Sequence, residues 1–401
     1  MQPTPPAVSH VRRLATAALR LEAGHPGPLD LGAESARFAP EDVLSAIARH
    51  RLVSLLGPHM ADLGLPDALC ADVAMLRDAQ RRPLLVQQLE LGEVHGRVAA
   101  AGIPCLVLKG LPLAVQTTGD PATRGPGDID LLVPPATVPY AHRVLGEHGW
   151  QLRADGRVTP GTWAWRHVLR NTSALTYVGP GSNVDLHWRL DSTVDALPDF
   201  DALWARRVEV MLGGAAVPTL ALPDALLQSA FHAAKDRWRW LRSLVDLHRL
   251  AGIDELWAGI DDPTALHRLL ILSLAVTRGA VGLPDAVPAG VRARIDRVPD
   301  RVVTRALRVQ ERPAVHDRDI PMLETFVALR YLARASTSRR DVMRTLAGVT
   351  LPAKVVQGVE SRTAWTGIPV ALGHRVAYGW RKTARRAHLH ATDEREVVGS
   401  P

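Results

Sequence analysis

Two hydrophobic patterns alternate along this chain. Over most of its length apolar residues recur every three or four positions, which is the spacing that places them on one face of a helix. In the middle of the chain short continuous apolar runs replace that spacing, as expected for buried strands. The helical spacing predicts helices over residues 11–21, from Pro40 onward, and over 67–78, 83–101, 222–235, 240–250, 264–278, 291–308 and 322–332.

The middle of the chain is predicted to form a small β-sheet with helices between its strands. Two of these helices begin at Gly110 and at about residue 136. A Gly-Pro-Gly-Ser tetrapeptide at 179–182 is typical of a hairpin. The predicted fold class is α+β, a small mixed sheet flanked by N-terminal and C-terminal helical regions. The predicted strands cover residues 103–108, 129–133, 166–170, 174–178 and 184–188.

The same alternation predicts four regions along the chain. The mixed sheet falls in the second of them, and the last is basic and, after about residue 388, too charged and aperiodic to fold, so it is predicted to be partly disordered. The regions are an N-terminal helical region at 1–101, a core at 102–212, a helical domain at 213–335 and a basic C-terminal extension at 336–401.

Composition narrows the class of protein. With 401 residues, 47% hydrophobic and 22% charged, the chain resembles an ordinary globular protein. Cys70 and Cys105 stand alone in apolar contexts, which argues against a disulfide framework or a thiolate zinc site and favours a reducing, cytoplasmic location. The N-terminus lacks a signal-peptide pattern, and the longest apolar run, 269–276, is too short to span a bilayer. We therefore expect neither a membrane crossing nor a membrane partner.

The formal charge is +7, and both the distribution and the type of the basic residues bear on function. Arginines are scattered, and the one dense basic cluster, 375–386, is interpreted as a solvated terminus, with nucleic-acid binding as the weaker alternative. Lysine is rare, yet Lys109 directly precedes Gly110. A compact ammonium at that place could approach a phosphate.

The strongest chemical signal is the pair Asp128 and Asp130 at the start of the second strand. Alternate strand residues share a face, so the two carboxylates project together and need a cation, most simply Mg²⁺. Such a site can bind the phosphates of a nucleoside triphosphate and favour departure of pyrophosphate. Gly110 would begin a helix whose N–H groups face the triphosphate, with Lys109 and Arg124 as counter-charges.

A third carboxylate is expected from a neighbouring strand, where Asp185 is the best candidate. His187 shares its face and could contact phosphate or the acceptor. Two structural alternatives stay open: Asp185 as an exposed strand residue, and His187 as a packed neighbour of Trp188.

These motifs together resemble the bacterial uncharacterised nucleotidyltransferase family, a branch of the polymerase-beta-like nucleotidyltransferase superfamily. The resemblance covers about residues 40 to 255. It rests on the Leu-Lys-Gly of 108–110, Arg124, the Gly-Asp-Ile-Asp-Leu-Leu-Val of 127–133, the Val-Asp-Leu-His-Trp of 184–188, the helical segment 48–56, and the pairs at 231–232 and 240–241 with Val-Asp-Leu at 245–247.

The resemblance implies a nucleotidyltransferase core and an enzyme. Asp128 and Asp130 would match the family's metal-binding pair, and Asp185 its third carboxylate. The implied reaction moves a nucleoside monophosphate from an NTP, with ATP favoured, to a hydroxyl or phosphate of a small-molecule or peptide acceptor by a Mg²⁺-dependent two-metal mechanism.

The chain also departs from the superfamily pattern. Leu111 follows Gly110 where most members have serine, and Asp128 lies 18 positions further on, a longer interval than usual. A catalytically degenerate module that binds nucleotide or a protein partner is therefore the alternative. His232 and Asp246 belong to helices expected to cover the site, either as buried hydrogen-bonding residues or as contacts of the base or acceptor.

Overall fold

A computed structural model describes residues 5–25, 31–192, 196–260, 262, 265–312, 331, 335 and 338–378. Its helices are α1 Pro5–Glu22, α2 Leu31–Ser35, α3 Pro40–Arg49, α4 Val53–Leu56, α5 Asp67–Ala100, α6 Gly110–Thr118, α7 Val138–Glu147, α8 Trp163–Asn171, α9 Phe200–Ala205, α10 Leu222–Lys235, α11 Leu241–Ala251, α12 Asp254–Ala258, α13 Arg268–Val281, α14 Ala289–Asp296, α15 Asp300–Glu311, α16 Arg339–Thr350 and α17 Ala353–Val356, followed by a helix over 364–378. Short 3-10 turns lie at Gly57–His59, Pro121–Arg124, Pro135–Thr137 and Ala154–Gly156.

Seven strands form one mixed sheet in the order β3-β4-β5-β2-β1-β7-β6. β2 runs parallel to β5 and antiparallel to β1, while β1 and β7 are parallel. The predicted α+β fold class is confirmed. The strands are β1 Leu106–Leu108, β2 Ile129–Leu132, β3 Gln151–Leu152, β4 Ala174–Val178, β5 Asn183–His187, β6 Val208–Leu212 and β7 Ala215–Thr219.

The sheet separates two hydrophobic cores. Leu106 and Leu108 of β1 pack into a core formed with helices from both ends of the chain, including α1, α3, α10, α11 and α13. Val107 and Leu131 point the other way, into a core with the second half of α5, α7 and α8. Strand alternation therefore determines which face of the sheet each side chain lies on, and Asp130 of β2 lies on the face that carries α10 and α11.

The predicted strand over 166–170 is wrong, because this segment lies in α8. Thr162 caps the helix, its hydroxyl accepting a hydrogen bond from the N–H of Trp165 at 3.2 Å. Ala164, Trp165 and Val168 are buried at helical spacing. A short apolar run does not by itself distinguish a strand from a buried helix, and here the cap decides it.

Two predicted helix boundaries near prolines differ from the structure. Helices predicted over 67–78 and 83–101 are one helix, α5, that continues through Pro83. Pro83 is exposed, so the carbonyl that loses its hydrogen bond can be solvated. The helix predicted over 291–308 is instead two, α14 and α15, because Pro299 disfavours helical geometry at Val298.

The hairpin β6–β7 was not predicted; helices were expected after residue 199. Gly213 and Gly214 both have positive φ, 60° and 83°, which suits the tight turn of a two-residue hairpin. Thr219 then pairs with Val107, and its hydroxyl donates to the Val107 carbonyl at 2.6 Å. The sheet thus continues past residue 212, where the core was predicted to end.

Two sequence predictions fall mostly outside the described residues: the helix over 322–332 and the part of the basic cluster and tail after residue 378. Among the described helices, none combines the length and the apolar character that a bilayer crossing requires.

Candidate functional site

Neighbouring strands β2 and β5 bring two carboxylates and an imidazole onto one face of the sheet. Because the strands are parallel and in register, Asp130 lies beside Asp185 and Leu132 beside His187. Val184 and Leu186 alternate with the polar residues of β5 and are fully buried in the core on the opposite face. Asp130 and Asp185 are thus neighbours in the sheet although more than fifty residues separate them in the sequence.

Asp130 is the centre of this group. Its Oδ1 accepts from Lys109 Nζ at 3.0 Å and from His187 Nε2, also at 3.0 Å. Burial alone would raise the pKa of Asp130, but the charge of Lys109 and the hydrogen bond from His187 outweigh it and hold the pKa below its usual value. Asp130 is therefore ionised, and within the described residues only its Oδ1 has a side-chain partner.

Asp185 occupies a different electrostatic environment. Its Oδ1 accepts from the hydroxyl of Thr176, directly across the β4–β5 pair, at 2.6 Å. Burial and the neighbouring charge of Asp130 raise the pKa of Asp185. Two carboxylates held this close repel each other, so a cation between them would relieve a strain that Thr176 relieves only in part.

The group has the composition of a metal site. One potential ligand atom each from Asp130, Asp185 and His187 lies within 4.8 Å of the others. His187 Nδ1 is buried and, among the described residues, has no hydrogen-bond partner, so no hydrogen bond fixes that side of the imidazole. The set can hold a divalent cation: carboxylates suit Mg²⁺ or Mn²⁺, and an imidazole adds affinity for transition metals.

Asp128, the other member of the predicted pair, is not in this group. It precedes β2, its side chain is exposed, and its Oδ1 accepts from Asn183 Nδ2 at 3.2 Å. Its backbone is held more firmly, because Gln87 of α5 donates to the Asp128 carbonyl and accepts from the Gly127 N–H, both at 3.2 Å. Gln87 thus fixes the entrance to β2.

Lys109 and Gly110 make a sharp turn between β1 and α6. Both have positive φ, 47° and 50°, a conformation that costs a lysine about 1 kcal/mol or more. The turn directs the Lys109 ammonium to Asp130 and starts α6 beside Asp128, whose carbonyl oxygen would lie 3.9 Å from a Cβ on Gly110. Leu111, in place of the superfamily's serine, is buried and offers no hydroxyl.

The guanidinium of Arg124 is engaged in an ion pair within the protein. Its Nε contacts both carboxylate oxygens of Asp246 on α11, at 3.1 and 2.9 Å, and both side chains are nearly buried. One helical turn further on, Arg249 donates to the Thr123 carbonyl at 3.3 Å and pairs with Glu22. The polar face of α11 therefore anchors the long loop between α6 and β2.

Arg242 lies on the same face of α11, four residues before Asp246. Its backbone N–H donates to the carbonyl of His50 at 3.3 Å. Burial, followed by the charges of Arg124 and Arg51, lowers the pKa of Arg242 to about 9, although Asp246 and Asp128 oppose the shift. Within the described residues no ion pair neutralises its guanidinium, so this edge of the site has excess positive charge.

His232 of α10 completes the side of the site that faces the helices. The charge of Lys109 and then burial lower its pKa well below the usual value, so its imidazole is neutral at neutral pH. Its Nε2 lies 3.7 Å from Asp236. Asp246, the other helical residue singled out by sequence, proves to be the partner of Arg124.

Three residues of the site were not predicted from the sequence. Thr176 could have been, since the predicted hairpin places it opposite Asp185. Gln87 carried a weaker signal, a polar residue on the apolar stripe of Leu84 and Leu91. Arg242 carried none, because it depends on how α11 packs against the rest of the chain.

Comparison with known proteins gives one finding. A family model described as "Uncharacterised nucleotidyltransferase" matches residues 37–274, more than half of the chain. The matched segment runs from just before α3 into α13 and so contains every strand and, of the site residues described above, all but Glu22. A search of the curated proteins found no match to the chain.

Proposed function

The chain belongs to the uncharacterised nucleotidyltransferase family, and from this premise we propose that it transfers a nucleoside monophosphate from an NTP to a hydroxyl or phosphate group of a small-molecule or peptide acceptor. The observation that carries the proposal is the buried cluster of Asp130, Asp185 and His187, with Lys109 and the start of α6 beside it. We further propose ATP as the donor and a cytoplasmic location.

Asp130, Asp185 and Asp128 are the residues proposed to hold Mg²⁺, with His187 beside them. When bound, divalent cations in a site of this kind neutralise phosphate charge and stabilise both the attacking and the leaving oxygen. The low pKa of Asp130 keeps its carboxylate ionised and ready to bind a cation at neutral pH. Asp128 is exposed, and a hydrogen bond from Asn183 Nδ2 at 3.2 Å holds its carboxylate beside β5, the strand that carries Asp185.

The chain's own residues account for triphosphate binding without a serine hydroxyl. No side chain caps the first turn of α6, and the macrodipole of the helix favours an anion at the backbone N–H groups of Gly110 and Leu111. Lys109, whose ammonium pairs with Asp130 at 3.0 Å, is the residue that would contact a phosphate oxygen of the bound NTP. Arg242 is the proposed second counter-charge, since Arg124 is occupied by Asp246.

The deciding experiment is an unbiased search for turnover. The full chain is incubated with each labelled NTP, Mg²⁺ or Mn²⁺ and a fraction of host metabolites and peptides, and products heavier by one nucleotide are sought by mass. We expect pyrophosphate release that needs both the divalent cation and an acceptor. Nucleotide binding by calorimetry with no product from any acceptor would instead favour the degenerate binding module, for which the buried Leu111 and the Lys109–Asp130 ion pair are the supporting observations.

Replacing Arg242 should weaken triphosphate binding. Arg242→Gln removes a guanidinium that has no ion-pair partner within the described residues, so we expect affinity for inorganic triphosphate to fall by about tenfold to a hundredfold, as for a lost charge-assisted contact. Calorimetry measures this without turnover. Arg305→Gln, an exposed arginine on α15, is the matched control. Equal affinity of wild type and Arg242→Gln would remove Arg242 from the site.

A further inference from the structure

One face of the helix over 364–378 packs against the rest of the protein. Gly367 approaches the ring of Trp163 so closely that a Cβ would clash with it. Ala371 is fully buried, and His374 Nδ1 contacts the Val355 carbonyl at 3.2 Å. These residues follow each other at spacings of four and three, so they lie on the same side of the helix.

A different face of this helix is apolar and in contact with water. The side chains of Trp365, Ile368, Leu372 and Val376, spaced by three, four and four residues, form what we call the apolar stripe. Trp365 is 92% exposed, and the other three are between 41% and 61% exposed. Single exposed apolar residues are ordinary, but an aligned row of four marks an interaction surface.

The charge around the apolar stripe identifies the kind of surface it would meet. From residue 361 to 392 the sequence contains six arginines and lysines and no acidic residue. An amphipathic helix that combines an aromatic and aliphatic face with a local excess of positive charge is typical of segments that lie in the interface of an anionic bilayer. The charge of this segment is complementary to acidic phospholipid headgroups.

We propose that the apolar stripe docks this protein on the surface of an anionic lipid bilayer. The 364–378 helix lies in the plane of the interface, with Trp365, Ile368 and Leu372 among the upper acyl chains and Arg362 and Arg375 at the headgroups. The sequence predicts no membrane partner because it has no run long and apolar enough to span a bilayer, and docking on a surface needs no such run.

A nucleic acid accounts for less of what is observed. Phosphate backbones would attract the arginines and lysines of 361–392 but give an aliphatic row of Ile368, Leu372 and Val376 nothing to bury against. A bilayer uses both properties of the segment at once. The proposal does not depend on the nucleotidyltransferase site, since the apolar stripe includes none of its residues.

Vesicle sedimentation with the full chain tests the proposal. One set of vesicles contains phosphatidylcholine alone and the other equal parts of phosphatidylcholine and phosphatidylglycerol. We expect binding to the anionic vesicles that weakens at high salt, and little binding to the neutral ones. The triple variant Trp365→Ser, Ile368→Ser, Leu372→Ser should lower the partition coefficient by at least about tenfold, because it removes the buried apolar area.

The matched control is Met75→Ser, Leu85→Ser, Leu89→Ser, three residues of α5 that are at least as exposed as most of the stripe. It should bind vesicles like the wild type, and unchanged thermal unfolding of both triple variants would show that they fold. Three results would each overturn the proposal: no binding of the wild type to anionic vesicles, unchanged binding of the stripe variant, or tighter binding to duplex RNA or DNA that is lost in that variant.

Discussion

Asp130→Asn should abolish almost all divalent-cation-dependent pyrophosphate release. The substitution keeps the size of the side chain but removes the charge that Lys109 and His187 both contact and that a cation would need. Loss of a metal-holding carboxylate removes several kcal/mol of transition-state stabilisation, which corresponds to about a thousandfold in rate. The measurement is initial-rate pyrophosphate release in Mg²⁺ and in Mn²⁺, with the acceptor found in the search for turnover.

The control for this variant must also lose a buried, paired carboxylate. Asp224→Asn does so, because Asp224 is buried at the start of α10 and accepts from Arg206 Nη2 at 2.7 Å. We expect it to retain activity. If Asp130→Asn released pyrophosphate at the wild-type rate, the two-carboxylate site would be wrong and the nucleotidyl-transfer proposal would fall with it.

The part of the site that sequence could predict is the part set by strand periodicity. Alternation predicts that Asp128 and Asp130 share one face of their strand and that Asp185 and His187 share one face of theirs, and the parallel pairing of β2 and β5 brings Asp130, Asp185 and His187 together. The rule works because it is local and needs only the assumption that the strands are neighbours. Asp128 precedes β2 and its carboxylate accepts from Asn183, so its place among the metal-holding residues stays a prediction.

The rest of the site depends on contacts between distant elements. Nothing in the sequence near Arg124 reveals that Asp246, more than a hundred residues later, neutralises it. Gln87 and Arg242 likewise act only because α5 and α11 pack where they do. In the fold, the missed elements were those with ambiguous local signals: the β6–β7 hairpin and α8, whose short apolar runs suit either a strand or a helix.

The Arg124–Asp246 ion pair joins two distant elements, the loop before β2 and α11. Its removal is expected to lower the free energy of unfolding more than any other substitution considered. In Asp246→Ala the guanidinium of Arg124 stays nearly buried and loses the one carboxylate that pairs with it among the described residues, while Arg242 adds like charge nearby. Stranding one partner of a buried pair costs about 3–5 kcal/mol, so we expect a loss of about 3 kcal/mol in the free energy of unfolding, measured by urea titration.

An exposed ion pair provides the comparison. Asp78→Ala breaks the pair with Arg81 at 3.1 Å on the surface of α5 and should cost less than about 1 kcal/mol. Replacing both Arg124 and Asp246 by leucine should destabilise the protein less than Asp246→Ala alone, because no unpaired charge is then buried. If Asp246→Ala cost no more than Asp78→Ala, the guanidinium of Arg124 would be free to reach solvent or substrate. Arg124 would then be available as a counter-charge for phosphate, as the sequence predicts, and the contacts of α11 would not hold the loop between α6 and β2 in place.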